Sequence, residues 1–146
     1  MKSELNIPFK TEEFCIEQNK PIPQSVATKI WVFHILPMLV VRTLLDSPMW
    51  ASKNSGFRPK AYEISMGRSG ESQHTFEDES KGAIDWTCKK SLLAKMLELI
   101  LEHTTYTRIA VYENFIHCDY KATDGNRYLF DSDAKSNWTL KETFKL

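Results

Sequence analysis

The sequence has no excess of positive charge. Lysine plus arginine number 19 and aspartate plus glutamate number 19, so the formal net charge of the 146 residues is zero. Non-specific binding to nucleic acid depends on a basic excess that neutralises phosphates. The charge balance therefore argues against a nucleic-acid-binding protein.

Long apolar runs are missing as well. The longest uninterrupted run covers 35–41 and has Pro37 inside it, whereas a membrane span needs roughly 18 apolar residues. Residues 1–10 lack the apolar core of a signal peptide. We therefore expect cytoplasmic synthesis, no membrane-spanning segment and no export signal.

Cysteine is scarce. The three cysteines, Cys15, Cys88 and Cys118, are widely spaced and form no C-x-x-C pair, so we interpret them as reduced thiols. Apolar residues make up 42% and charged residues 26%, as in an average globular protein. At this length we expect one domain over residues 1–146.

The hydrophobic pattern predicts an α+β fold with a small antiparallel sheet packed against helices. The predicted helices are 25–46, 59–66 and 88–103, and the predicted strands are 82–86, 107–112, 115–121 and 127–130. Residues 1–24 are interpreted as a lead-in, 52–58 as a short strand or turn, and 67–81 as a polar loop. Pro37 is expected to kink the first helix or begin a second segment, and Thr87 to cap the helix from 88. Residues 123–126, Thr-Asp-Gly-Asn, predict a hairpin turn between the last two strands.

Only four histidines occur. His34 lies in the dense apolar helix and His103 at the end of another, and both are interpreted as structural. His74 stands in a polar loop, where no helical stripe accounts for it. Its position makes it the first candidate ligand.

Asp85 and His117 complete a candidate metal site. Asp85 stands between apolar neighbours, and a buried acid is costly unless it is paired or binds a metal. On a strand, His117 and Asp119 point to the same face. Two histidines and one carboxylate match a catalytic zinc site that keeps a position for water. From residue types alone, side chains that merely satisfy hydrogen bonds are an equally good account.

Four segments occur in a telling order: Ser-Gly-Phe-Arg at 55–58, Ser-x-His at 72–74, Gly-Ala-x-Asp at 82–85 and Ile-His-x-Asp at 116–119. Together they resemble the M15 family of zinc D-Ala-D-Ala carboxypeptidases and L-alanyl-D-glutamate peptidases, over about residues 25–130. The resemblance implies a Hedgehog/DD-peptidase-like fold. It also implies a zinc ion bound by His74, Asp85 and His117.

The resemblance assigns further roles. Arg58 is expected to bind a substrate carboxylate or polarise the peptide carbonyl, work that suits the fixed donors of a guanidinium; Phe57 replaces the family's usual tyrosine. Independently of the resemblance, we interpret Asp119 as a partner of a ligand rather than as the general base, and Ser72 likewise as a residue that supports the ligands without touching the metal. Arg58 should therefore serve the substrate rather than the fold.

Two departures from the family concern the loop and the base. The spacing from His74 to Asp85 is longer than usual, so 77–80 look like an inserted acidic turn, which we interpret as a solvated charge run. The family's general base is an acid shortly before the last histidine, where this chain has Asn114. A bulge in the strand would turn the neighbouring Glu113 inward, and we predict that Glu113 is the base.

The expected function is a zinc metallopeptidase that cleaves stem or cross-link peptides of peptidoglycan. The absence of a signal peptide fits a phage or prophage endolysin, released by host lysis or carried in a virion, or an enzyme of recycled wall peptides. One alternative is a non-catalytic M15-like binding or structural domain, for example in a phage particle. Another is a metallo-enzyme with a different small substrate.

Overall fold

The computed structural model describes residues 9, 11–15, 21–52 and 55–146. Residues 1–8, 10 and 16–20 of the predicted lead-in, and 53–54 of the predicted segment 52–58, lie outside the described residues. The helices are α1 Gln24–Leu45, α2 Lys60–Ser65 and α3 Leu93–His103, with short 3-10 helices at Thr11–Phe14, Gln73–Thr75 and Lys90–Leu92. The strands are β1 Met49–Ala51, β2 Ala83–Cys88, β3 Arg108–Val111, β4 Ile116–Asp119, β5 Asn126–Ser132 and β6 Trp138–Lys145. The predicted α+β class is confirmed.

The strands form one sheet in the order β1-β2-β4-β3-β5-β6, and the β3–β5 pair is parallel. The prediction of an antiparallel sheet is therefore wrong for that pair. The predicted hairpin at 123–126 is also wrong, because β4 pairs with β2 and β3 while β5 lies beyond β3. Asp124 accepts a hydrogen bond from the Asn126 N–H at 3.0 Å, so a local turn does form. Turn residues fix local geometry, but they do not choose the partner strand.

Strand β2 is longer than predicted and the following helix is shorter. Pairing with β1 aligns Trp50 with Thr87 and Met49 with Cys88, which extends the strand. The predicted helix cap at Thr87 is therefore wrong. Its hydroxyl donates instead to the Asn114 carbonyl at 2.6 Å, and the α-helix begins only at Leu93.

The two faces of the sheet have different chemistry. One face contributes fully buried Ile84, Trp86, Ile116 and Cys118 to a core shared with helices α1 and α3. Burial of that apolar surface stabilises the fold by about 25 cal/mol for each Å² removed from water. Because side chains alternate along a strand, the residues between them point to the opposite face. That face carries the polar candidate residues.

Helix α1 has the second segment that Pro37 predicts, because a new α-helical stretch, Leu36–Leu45, begins with the proline in its first turn. A π-helical stretch, Ile30–Ile35, precedes the proline, and the Leu36 N–H bonds the Trp31 carbonyl across this wider turn. In a regular helix the Phe33 carbonyl would accept from residue 37, but proline has no N–H. The Tyr120 hydroxyl donates to that carbonyl at 2.6 Å. A tyrosine distant in sequence thus supplies the missing donor.

By length and composition, α1 is also the one described helix that is long and apolar enough to cross a membrane. This is weak evidence, because a core helix of a globular protein passes the same test. One side of α1 packs into the core described above.

We expect Tyr120→Phe to destabilise the protein by about 1–3 kcal/mol, because it leaves the Phe33 carbonyl without its donor. Tyr128→Phe is the matched control, since the Tyr128 hydroxyl donates to Asp124 at the surface. It should cost less than about 0.5 kcal/mol. Urea denaturation of both variants measures the difference. Equal losses would show that the bond to Phe33 contributes nothing special.

His34 lies in a closed hydrogen-bond chain in the core. The ring is 0% exposed; Nδ1 lies 2.9 Å from the Tyr106 hydroxyl and Nε2 lies 2.9 Å from the Lys81 carbonyl. The Trp86 ring N–H donates to the Tyr106 oxygen at 3.2 Å. A neutral His34 that donates through Nε2 satisfies every group in this chain. Burial lowers the pKa of His34 to about 4.

This pKa predicts an acid-sensitive core. An unfolded histidine titrates near 6.5, so below that pH protons bind the unfolded chain preferentially until the folded pKa of about 4 is reached. The contribution of neutral His34 to the free energy of unfolding is therefore fully present above pH 6.5 and decreases as the pH falls below that value. Between pH 7 and pH 5 the free energy of unfolding of the wild type should fall by about 2 kcal/mol more than that of His34→Gln, because glutamine does not titrate. Chemical denaturation at several pH values measures both proteins. If their free energies of unfolding changed equally with pH, the prediction would be contradicted.

Candidate metal centre

The centre is built on a cross-strand pair. Asp85 in β2 and His117 in β4 stand directly opposite each other, so their side chains share a face of the sheet. His117 Nδ1 lies 2.8 Å from Asp85 Oδ1, and each side chain is only 9% exposed. Strand pairing alone thus brings two of the three predicted ligands together.

His74 comes from the loop. Its 3-10 helix, Gln73–Thr75, is capped by Ser72, whose hydroxyl accepts the His74 N–H at 3.2 Å. The ring Nδ1 donates to the Gly56 carbonyl at 2.9 Å, which leaves Nε2 pointing at Asp85 Oδ1, 3.3 Å away. Ser72 therefore supports His74 through the backbone rather than through the ring.

Gly56 and Arg58 tie the Ser-Gly-Phe-Arg segment to this loop. The Arg58 N–H donates to the His74 carbonyl at 2.9 Å. A Cβ on Gly56 would lie 2.4 Å from the Phe14 carbonyl oxygen, so no other residue fits there without displacing the backbone. The two motifs, separate in the sequence, form one hydrogen-bonded unit that fixes the His74 ring.

Asp119 lies behind His117, as the same-face argument predicts. His117 Nε2 is 2.7 Å from Asp119 Oδ2. The Arg108 Nε donates to both Asp119 oxygens, at 2.9 and 3.2 Å, and β3–β4 pairing places the two residues opposite each other. A fully buried carboxylate is thus held between an imidazole and a guanidinium.

The electrostatics of the group follow from this arrangement. Burial lowers the pKa of His117, but hydrogen bonds to Asp119 and Asp85 outweigh it and raise that pKa to about 9. Burial also acts to raise the pKa of Asp85, and the nearby His74 and His117 more than reverse that, so the pKa lies well below its usual range. Burial likewise acts to raise the pKa of Asp119, but hydrogen bonds from His117 and Arg108 outweigh it and hold that pKa below its usual range. Both carboxylates therefore remain ionised.

The three predicted ligands fit a metal ion. One ligand atom each from His74, Asp85 and His117 lies within 4.8 Å of the other two, and all three residues are buried. Each imidazole has its remaining nitrogen on an oxygen acceptor, which is how proteins orient metal-binding histidines. The described residues thus contain a buried His-Asp-His group that can hold a metal ion.

A cavity of about 380 Å³ opens over the group. Its lining contains the three candidate ligands and a majority of polar and cationic side chains. The other lining residues are Arg58, Arg68, Glu71, Ser72, Gln73, Arg108, Tyr112, Phe115, Lys121, Ser136 and Trp138. A small polar substrate could therefore approach the metal position directly.

Trp138 and Arg108 belong to the site but were not predicted from sequence. The Trp138 ring packs against His117 with centroids 5.1 Å apart, and the Arg108 guanidinium lies 5.0 Å from the Trp138 centroid. Trp138 begins β6, beyond the range of about 25–130 that the resemblance covers. The only sequence signal for Arg108 was its place in a strand opposite the Ile-His-x-Asp segment.

Arg58 lines the cavity, and it is also tied to the fold. Its Nε lies 2.8 Å from Glu63 Oε1, at ion-pair distance although not in hydrogen-bond alignment. The Glu63 side chain is 0% exposed. Removing Arg58 would therefore leave a buried carboxylate with one partner fewer, so the expectation that Arg58 serves only the substrate is too narrow.

Glu113 is not brought to the group. Strand β3 ends at Val111 and β4 begins at Ile116, and between them the Tyr112 N–H bonds the Phe115 carbonyl at 2.9 Å in a tight turn. The Glu113 side chain is 80% exposed and pairs with Lys90 at 3.1 Å. The predicted inward bulge is therefore not seen, because the turn reverses the chain before Glu113 can face the cavity.

The acidic segment 77–80 is largely exposed, as a solvated charge run should be. This part of the chain is held at two points. Lys29 Nζ donates to the Phe76 and Asp78 carbonyls at 3.0 and 2.9 Å, and the Ser80 hydroxyl donates to the Gln73 side-chain oxygen at 2.8 Å. The extra residues thus pack beside the His74 loop rather than disrupt it.

Comparison with protein-family models found no match, and searches of curated proteins and of solved structures found none either. The functional inference therefore depends on the residues of the site.

We expect the purified protein to bind one divalent metal ion per chain, and His74→Ala and His117→Ala to abolish stoichiometric binding. His103→Ala is the matched control, because His103 ends helix α3 and is not one of the three clustered residues. Elemental analysis after dialysis against a zinc-containing buffer measures the metal content. Unchanged content in both site variants would remove the assignment.

Proposed function

We propose that the protein is a zinc-dependent metallopeptidase acting on peptidoglycan stem or cross-link peptides. The observation that carries the proposal is the buried His74–Asp85–His117 group, with each imidazole oriented by an acceptor, at the floor of a polar cavity. Two imidazoles and one carboxylate form a common catalytic zinc set.

The residues have separable tasks. His74, Asp85 and His117 would hold the ion, which when bound polarises a carbonyl and lowers the pKa of water toward about 7. Asp119 fixes the His117 ring through Nε2. Arg58, at the cavity wall, would bind a substrate carboxylate or the peptide carbonyl through its guanidinium.

The peptidoglycan substrate and the Hedgehog/DD-peptidase-like fold are supported by the resemblance of the four ordered segments to M15 peptidases. Contacts join the four segments in two pairs. Gly56 and Arg58 bind the His74 backbone and ring, and Asp85 pairs with His117. A wall-degrading role in phage release, or in recycling of wall peptides, is part of this proposal.

Two carboxylates are candidates for the general base. Glu113 stays the prediction from sequence, although it would need the turn at 112–115 to rearrange. Glu71 lines the cavity, where Asp85 is the only other carboxylate among the lining residues. A base must come within hydrogen-bond reach of the proton that it removes. We therefore favour Glu71, because it already lines the cavity.

A non-catalytic metal-binding or structural domain is the second candidate, for example within a phage particle. The observation that favours it is the exposure of Glu113 together with Asn114 at the family's base position. Such a protein would keep the metal and the cavity but would not hydrolyse peptides.

We expect hydrolysis of purified muropeptides to stop after chelation and to return with one equivalent of zinc. Glu71→Gln should keep the metal and lower hydrolysis by about 100-fold or more, as for loss of a general base. Glu113→Gln, a matched change at an exposed site, should be close to wild type. Chromatography of the products measures all three.

The opposite result, with Glu113→Gln inactive and Glu71→Gln active, would restore the sequence-based assignment. Zinc binding without any hydrolysis would instead support the non-catalytic candidate.

A further inference from the structure

Helix α2 carries a buried acid that the proposed function does not use. Glu63 lies in this short helix with its side chain 0% exposed. Its Oε1 is 2.8 Å from Arg58 Nε, and its Oε2 accepts from Arg68 Nη1 at 2.8 Å. Each carboxylate oxygen thus faces a different guanidinium.

The two arginines flank α2 in the sequence and line the same cavity as the His-Asp-His group. The Arg68 N–H also bonds the Glu63 carbonyl at 3.0 Å, which folds the chain back over the helix. The Arg58 side chain is 19% exposed and that of Arg68 is 49% exposed. Both guanidiniums are therefore anchored on one side and open on the other.

Stability alone is a poor explanation for this arrangement. Burying a carboxylate carries a large desolvation cost that an ion pair only roughly offsets, so apolar residues often stabilise a fold as well or better. The triad gains something that apolar residues cannot provide, which is two oriented guanidiniums beside the metal position. Two positive charges against one negative leave a net charge of +1, which suits one substrate carboxylate.

We propose that Arg58 and Arg68 together form a carboxylate-binding subsite, and that Glu63 is the positioning residue that holds the pair. The ligand class is a short peptide with a free carboxylate, bound through guanidinium forks. Arg68 is thus a further specificity-determining residue. The proposal rests on the proposed function for the peptide class, but it concerns binding and not turnover.

The probe is the ketomethylene analogue of acetyl-D-alanyl-D-alanine, in which a CH2 replaces the N–H of the peptide bond, and its C-terminal amide. Neither compound can be hydrolysed at that bond, so calorimetry on the complete protein reports binding alone. The wild type should bind the acid at least tenfold more tightly than the amide. Arg68→Gln should reduce this preference to less than threefold and leave amide binding unchanged.

Two further variants make the test specific. Lys121→Gln removes another cation of the same cavity that does not contact Glu63, and it should keep most of the preference. Glu63→Gln should lose the preference because the pair is no longer held by a charge. If Glu63→Gln does not fold, Arg68→Gln decides alone, since its side chain is half exposed.

An equal affinity for acid and amide in the wild type overturns the subsite, as does an unchanged preference in Arg68→Gln. An equal loss of the preference for the acid in Lys121→Gln also overturns it, because the overall positive charge of the cavity would then explain the preference. Failure of the proposed function looks different. A protein that hydrolyses no muropeptide but shows the Arg68-dependent preference retains the subsite and loses the peptidase assignment.

Discussion

The candidate site depends on the burial of two carboxylates around one imidazole. Asp85 and Asp119 each form a hydrogen bond with one ring nitrogen of His117, and Arg108 donates a hydrogen bond to Asp119. Charges removed from water must be compensated at close range, or the fold does not tolerate them. Three neighbouring strands, β2, β4 and β3, supply these groups in one row. A slip of one residue in any pairing would turn its polar side chains into the core.

Because side chains alternate along each strand, one face of the sheet packs in the core and the other carries the candidate site. Ile84 and Trp86, the sequence neighbours of Asp85, face the helices. Ile116 and Cys118, the neighbours of His117, do the same. Packing of the apolar residues therefore fixes the positions of the polar ones, with little freedom for adjustment. The loop histidine has no such support and depends on Ser72 and the Gly56 carbonyl.

Features that depend on local patterning could be predicted from the sequence. The contact of Asp119 with His117 and the long first helix follow from alternation and hydrophobic density, whereas the grouping of His74, Asp85 and His117 was implied by the resemblance of the ordered segments. The parallel β3–β5 pair could not be predicted, because a turn signal at 123–126 does not state which strand the chain will join. Likewise, nothing near Pro37 indicates that Tyr120 supplies its missing hydrogen bond. The role of Glu63 was also hidden, since its partners stand on both sides of a short helix and meet only after folding.

Strand β6 is less firmly packed than the other strands that line the cavity. It pairs only with β5, and most of its side chains are exposed, yet its first residue, Trp138, covers His117. Regions with few buried apolar contacts open locally at a lower free energy than the core does. Asp85 and His117 stand on inner strands, while Trp138, which packs on His117, belongs to the edge strand. Fraying at that sheet edge would therefore uncover His117 on the cavity side while the pairing of β2 with β4, which aligns Asp85 with His117, stays intact.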